Sequence, residues 1–359
     1  MSIGLTALER IARARSDFRM GVGVVLCLGK DQWLAAPSET VTAERFLAMR
    51  EMGAIELTIT DWRAQTLSTW ATDGDIARLA LPHDKGLDWV RSVCDPSDDF
   101  NAPLKGPFTP IFGGIAEAHR TALAICKMAL LLPSAVLVNV SGQDLKGIDF
   151  LDLKLISKAM ESSINQLTEV SVANVPLKVS NASRVHVFRP QDGGEEHYAI
   201  EIGNPDRNAP VLSRLHSACF TGDLIGSLKC DCGPQLHAAL EGISSDGSGV
   251  LLYMNQEGRG IGLANKMRAY QLQDQGFDTV EANHRLGFED DERNFKLGAE
   301  ILKLMGFSSV RLMTNNPAKV ASMESAGIIV SERVALKVGL NPLNKKYLDT
   351  KAKKSGHLL

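Results

Sequence analysis

Apolar and polar positions along this chain change rhythm near its middle. In the first half, residues 7–15 carry a helical period, and "VGVVLCL" (22–28) reads as a buried strand. "TAERFLAMREMG" (42–53) reads as a helix closed by Gly53, and "IELTIT" (55–60) as a strand. Residues 92–110 are rich in Pro, Asp and Gly and predict a long loop. "IAEAHRTALAICKMALLL" (115–132) is a helix with one apolar face, and "AVLVNV" (135–140) is a strand. "SVANVPLKVSNAS" (171–183) has the composition of a boundary, which divides the chain into domains 1–175 and 176–359.

Past the boundary, three strand-like runs (184–190, 197–203 and 210–216) are separated by the turns "QDGGEE" and "NPDRNA". Alternation follows: helix 235–243, strand 249–255, helix 262–275, helix 292–305, strand 309–314, helix 317–326 and strand 328–334. This predicts an α/β fold. The C-terminal domain carries a largely parallel sheet covered by helices, plus antiparallel strands, and a separate α+β domain precedes it. Ligands of such sheets gather beyond the carboxyl ends of the strands, so the chemistry is sought there.

Composition narrows the function classes. The chain has 359 residues, 44% hydrophobic and 23% charged, as in ordinary globular proteins. A net charge of −3 gives no general polyanion-binding surface, so nucleic acid is not an expected partner. The charged N-terminus lacks a signal-peptide core, and the apolar run from Met128 is short and broken by Pro133. No membrane association and a cytoplasmic location are expected. In a reducing compartment, clustered cysteines point to metal or catalysis rather than disulfides.

Three of the six cysteines lie in "CFTGDLIGSLKCDC". On an extended strand, Cys230 and Cys232 share one face. Cys219 can return to them through the turn Thr221-Gly222-Asp223. Three thiolates around one point suit Zn²⁺. His216 or His237 could close the site. An open fourth position would instead hold water, the arrangement of a catalytic rather than a structural zinc. Cys27 and Cys126 sit in apolar runs and read as small core residues.

Three further segments carry candidate chemistry. In "YMNQEGRGIGLANKMRAY" (253–270), glycines after a strand let backbone approach a ligand; Arg259 offers a forked cation and Glu257 an acceptor for guanine N–H groups. The plain alternative is a turn. "LGFEDDERNF" (286–295) sets four acids before a helix, where they favour its N-terminus, but Arg293 among them could reach a phosphate. In "VRLMTNNPAKV", Thr314 ends a strand, Asn316 caps a helix with Pro317 at its first position, and Lys319 lies by free backbone N–H groups, a natural anion site.

Together with "RLHSACFTGDLIGSLKCDCGPQL", "DTVEANHRLGF" and "NPLNKKYLDTKAKKSGHLL", these segments resemble GTP cyclohydrolase II from about residue 180 to the C-terminus. The resemblance implies conversion of GTP to 2,5-diamino-6-(5-phosphoribosylamino)pyrimidin-4-one, formate and pyrophosphate, the first step of riboflavin synthesis. It implies Zn²⁺ on Cys219, Cys230 and Cys232, Mg²⁺ on the triphosphate, and a homodimer. Implied GTP contacts are Arg214, Leu215, His216, Ser217, Ala218, Gln235, Glu257, Gly258, Arg259, Thr279, Thr314 and Lys319. Positions matching Asp291 and Arg293 are assigned in the family as proton acceptor and nucleophile, and Tyr270 matches a tyrosine linked to ring opening. A guanidinium stays protonated and has no lone pair to offer, so Arg293 reads better as an electrostatic stabiliser oriented by Asp291. Two positions depart from the family: Ala218 stands where Glu is usual, and Asn255 where Arg is common.

"ALERIARARSDFRMGVGVVL" through "ITDWRAQTL", with "GGIAEAHRTALAICKMALLLPSAVLVNV", resembles 3,4-dihydroxy-2-butanone 4-phosphate synthase. Its acidic metal-binding loop is replaced by "GKDQWLAAPSE", and its Gly-His-Thr-Glu-Ala motif appears only as "GGIAEAH". A domain without that activity is expected. Two other readings stand beside a GTP cyclohydrolase: a paralogue with another purine nucleotide or a partial reaction, and a non-catalytic nucleotide-binding regulator with a structural zinc.

Overall fold

The computed structural model describes residues 4–145, 147–156, 167–354, 356 and 358. Of the last stretch that resembles the cyclohydrolase, Ser355, His357 and Leu359 lie outside the described residues. The chain forms two compact units, Met1–Glu161 with Ala264–Glu292, and Ser162–Leu263 with Arg293–Leu359.

The first unit is built on strands β1 (Val24–Leu28), β2 (Asp31–Pro37), β3 (Ile55–Thr60), β4 (Ile76–Ala80), β5 (Ser134–Asn139) and β6 (Phe150–Asp152), in the order β4-β3-β5-β2-β1-β6. All pairs are antiparallel except β1 with β6. Side chains alternate between two apolar clusters. Val136 and Val138 of β5 enter one, with Phe46 and Met49 of the helix Ala43–Met52. Ala135 and Leu137 enter the other, with Ala122 and Ile125 of the helix Glu117–Met128. Burial on both faces explains why the strands read as continuous apolar runs.

The segment "GKDQWLAAPSE" forms the hairpin turn and β2, pairing Leu28 with Asp31 and Val24 with Ala35. The expected loop 92–110 is only partly one. Its first residues end the helix Leu87–Cys94, and Pro96–Asp98 makes a further turn. Asp99 then anchors it: Arg63, 1% exposed, forks onto Asp99 at 2.6 and 2.9 Å, and Lys105 joins them. Burial opposes ionisation of Asp99, but these two cations outweigh it and hold the carboxyl below its ordinary range.

The second unit contains β7 (Leu167–Asn174), β8 (Ser183–Pro190), β9 (His197–Ile202), β10 (Val211–Ser217), β11 (Gly249–Met254), β12 (Ser309–Met313) and β13 (Ile329–Val334). Their order is β13-β12-β10-β11-β9-β8-β7. The pairs from β13 to β11 are parallel, and those from β11 to β7 antiparallel. This is the α/β arrangement expected of the C-terminal half. The sheet begins at β7, whose C-terminal end runs into the stretch read as a boundary. Alternation again fills two cores: Val250, Leu252 and Met254 face one, Leu251 the other. No helix among the described residues is long and apolar enough to cross a membrane.

Candidate active site

The register pairs Ser217 of β10 with Met254 of β11, and Ser213 with Leu312 of β12. The parallel strands β10 and β11 therefore end together, while β12 ends at Met313, short of the end of β10, and most of the candidate residues follow these ends. Beyond β10, Ala218 N–H donates to Met254 O at 2.8 Å, and the chain enters one wide π-type turn, Phe220–Leu224.

That turn gathers the thiols. The sulfur atoms of Cys219, Cys230 and Cys232 lie within 4.8 Å of one another, with Cys219 and Cys230 at 3.8 Å. Cys230 and Cys232 are not on a strand, which corrects the sequence expectation. Cys230 lies in a loop, and Cys232 begins the helix Cys232–Asp246. Pro234 suits a first turn, where no N–H partner is needed, and a thiolate there meets the positive end of the helix dipole. Gly222 N–H donates to Cys219 Sγ at 3.3 Å. A Cβ on Gly222 would lie 2.8 Å from the Cys230 sulfur and 3.1 Å from that of Cys219, so only glycine fits.

The donor set fits a soft tetrahedral cation. The hydrogen bond with the Cys219 sulfur raises the Cys230 thiol above its ordinary value, and a bound cation would favour the thiolates instead. Neither histidine joins the thiols: the metal-capable group among the described residues is the three cysteines alone. His237 Nδ1 faces Gly233 O at 2.8 Å. His216 Nε2 faces Asp223 at 3.0 Å.

Asp223 was not singled out in the sequence. Its buried side chain accepts from Cys219 N–H at 3.0 Å and from Tyr253 Oη at 3.0 Å, besides His216. Burial holds His216 below its usual pKa despite that carboxylate, so it stays a neutral donor. Only the turn residues "TGD" hinted at Asp223, and nothing in the sequence links it to Tyr253.

Behind the thiols, buried Arg214 donates Nη1 to Met313 O at 2.9 Å and Nη2 to Gln235 Oε1. Gln235 in turn donates to Asp231, between two of the cysteines, at 2.5 Å. Burial lowers the Arg214 pKa to about 10. Leu215 points into the core, and its carbonyl accepts from buried Lys319 Nζ at 2.8 Å. Arg293 Nη1 donates to Ser217 Oγ at 3.2 Å. Arg293 and Lys319 both lie over the Phe295 ring, at 4.8 and 5.2 Å, which fixes two cations near one another.

Thr314 is buried, and its Oγ1 accepts from Asn316 N–H at 3.0 Å; Asn316 caps the helix Pro317–Ser325 as read from the sequence. After β11, Glu257 accepts from Phe220 N–H at 2.6 Å and from Gly258 N–H at 2.9 Å, tying this loop to the thiol turn. Arg259 adopts φ 62°, a left-handed conformation that costs an L residue energy and is stored at functional loops. Asn255 is committed elsewhere: its Nδ2 donates to Glu196 O at 2.6 Å and its N–H to His197 Nδ1 at 3.1 Å.

Three candidates belong to the first unit. Tyr270 lies on the helix Gly262–Asp274, with Lys266 Nζ 5.7 Å from its ring centroid. Thr279 opens the helix Thr279–Arg285 and accepts from Gln273 Nε2 at 3.4 Å. Asp291 lies in the loop that follows. The helix Lys296–Leu304 has no acid in its first turn, so the four acids do not serve its N-terminus as the sequence suggested.

The family profile described as GTP cyclohydrolase II matches residues 168–335. A GTP cyclohydrolase-2 of Azospirillum brasilense is 39% identical over 364 residues, 98% of this chain and 94% of that protein. The chain belongs to the GTP cyclohydrolase II family. As a member it is an enzyme, and the likeness to the Azospirillum protein extends through the N-terminal half. A GTP cyclohydrolase-2 of Azotobacter vinelandii is 58% identical over 175 residues, 49% of this chain and 84% of that protein. Among solved structures, RibBX, a two-domain 3,4-dihydroxy-2-butanone 4-phosphate synthase from A. baumannii, covers 91% of this chain and 99% of its own at 13% identity and a TM-score of 0.31, a likeness that carries no structural argument.

Proposed function

We propose that the chain hydrolyses GTP to 2,5-diamino-6-(5-phosphoribosylamino)pyrimidin-4-one, formate and pyrophosphate, as a step of riboflavin synthesis. The observation that carries this reading is the three-thiol cluster beyond the ends of β10 and β11, in a chain of this family. Cys219, Cys230 and Cys232 would hold Zn²⁺, which supplies Lewis acidity toward water and the nucleobase when bound. The protein's own groups do the rest. Glu257 accepts from guanine N–H groups, and Arg259 on its left-handed turn aims a cation beside it. Arg293 and Lys319 stabilise charge developing on the triphosphate, together with Mg²⁺. Arg214 and Gln235 orient the helix start behind the thiols. Thr279, Thr314, Tyr270 and Asp291 enter through the family resemblance, Asp291 as a proton acceptor or as the group that orients Arg293. Residues 176–359 would be the cyclohydrolase domain, and 1–175 a synthase-like domain without synthase activity. The enzyme would act as a homodimer.

The test is incubation of zinc-loaded protein with GTP and Mg²⁺, measuring formate and pyrophosphate. Both products support the reading. Pyrophosphate alone points to the paralogue with a partial reaction, which Ala218 and the commitment of Asn255 to Glu196 favour. Neither product overturns the cyclohydrolase. Turnover of ribulose 5-phosphate would overturn the reading of the N-terminal half.

A further inference from the structure

The acidic loop Glu289, Asp290, Asp291 and Glu292 concentrates four carboxylates, which repel one another unless other groups hold them. Residues far away in the sequence do so. Trp62 Nε1 donates to Glu289 Oε2 at 3.0 Å. The Trp62 ring also stacks on His284, with centroids 3.6 Å apart and planes 6° from parallel, and His284 Nε2 meets Asp290 Oδ1 at 2.7 Å. Lys127 Nζ donates to Glu292 Oε1 at 2.6 Å, and the same oxygen accepts from Glu289 N–H at 3.0 Å. The loop's entry presses on the same surface: Gly287, at φ 86°, comes so close that a Cβ would lie 2.7 Å from Thr60 Oγ1 and 3.0 Å from Pro133. Nearer Tyr270, Arg268 bridges Glu39 at 2.9 Å and Asp95 at 3.1 Å, and Asn265 Nδ2 donates to Leu130 O at 3.0 Å. Glu289 and Glu292, on either side of Asp291, are thus held by Trp62 and Lys127 of the N-terminal half, and Asp290 by His284.

We propose that Trp62 and Lys127 are positioning residues for the cyclohydrolase reaction. They fix the loop on both sides of Asp291 and so aim its carboxylate. The N-terminal half thereby contributes to GTP turnover without a site of its own. This rests on the reading that Asp291 acts on GTP.

The test compares Lys127→Met, Lys127→Arg and Trp62→Phe in the full-length zinc-loaded protein. Trp62→Phe keeps an aromatic ring but removes the N–H donor and part of the surface stacked on His284. With zinc content and thermal midpoint unchanged, kcat for formate release should fall about tenfold in Lys127→Met and about threefold in Trp62→Phe, while KM for GTP stays within about twofold, because misplacing a reacting group costs rate rather than binding. Lys127→Arg should recover most of the loss, and amide exchange in 286–292 should rise in step with the loss of kcat. Wild-type kcat in both Lys127→Met and Trp62→Phe overturns the proposal, as does a rise in KM at constant kcat. If the wild-type protein releases no formate at all, the functional reading fails first and takes this one with it.

Discussion

The thiol corner and the acidic loop are both short segments dense in functional groups, but they are held in opposite ways. The thiols are set by their own stretch of chain: one turn, one glycine and the first residue of a helix, with Asp223 and Asp231 as neighbours. The acidic loop is set from outside, by Trp62 and Lys127, well over a hundred residues away. A locally built site travels with its segment. A site built by distant partners depends on a whole second sheet being folded. If Trp62 and Lys127 position Asp291 as proposed, the N-terminal half contributes to turnover through these contacts.

The largest expected effect tests the local side. Cys230→Ser removes one of three thiolates, and we expect zinc content and formate release to fall below detection, roughly a thousandfold or more. Metal analysis with a formate assay checks both; retained zinc with retained turnover would remove the thiols from the chemistry. Gly222→Ala should follow, because the added methyl has no room between the sulfurs. A loss of about tenfold to a hundredfold in metal affinity is expected, read by competition with a chelator. Wild-type affinity would mean that the turn yields more easily than its contacts suggest. The acidic-loop variants above come next. If Lys127→Met cost more than Gly222→Ala, the contrast between local and distant support would be reversed.

The smallest effect concerns stability. Burial lowers the His197 pKa to about 4, and its Nδ1 accepts from Asn255 N–H, which needs the neutral ring. Between about pH 4 and its unfolded value near 6.5, the unfolded chain binds the extra proton, so stability is lost as pH falls through that window. The loss should be about 1–3 kcal/mol, read from urea melts between pH 7 and pH 4. His197→Gln keeps an acceptor and should flatten the slope. An unchanged slope would place the titration elsewhere.

Much of the fold was legible. Apart from β7, the strands of the second unit and the helix Pro317–Ser325 fall where periodicity, Asn316 and Pro317 placed them. These signals are local, because a cap or an alternating face is set by neighbours in sequence. What was missed has a nonlocal cause. β2 runs through "DQWLAAP", whose pattern says little until it pairs with β1 and β5. The helix Thr279–Arg285 is only seven residues long, too short for a clear period although its capping box is complete. The "CDC" spacing suggested a strand because alternation puts two side chains on one face, whereas a helix start and the preceding loop bring the same sulfurs together.

The sequence by itself determined the thiol triad, the Gly-rich turn after β11, the capped helix that carries Lys319 and the family resemblance. Each depends on residues close together in the chain, where spacing fixes geometry. Only the tertiary structure decided that, among the described residues, no histidine joins the thiols, that Asp223 links His216, Tyr253 and Cys219, and that Glu289 and Glu292 are held by Trp62 and Lys127 instead of starting a helix. Those outcomes depend on which strands pair and which surfaces are buried together, and burial is a property of the whole fold that no single segment encodes.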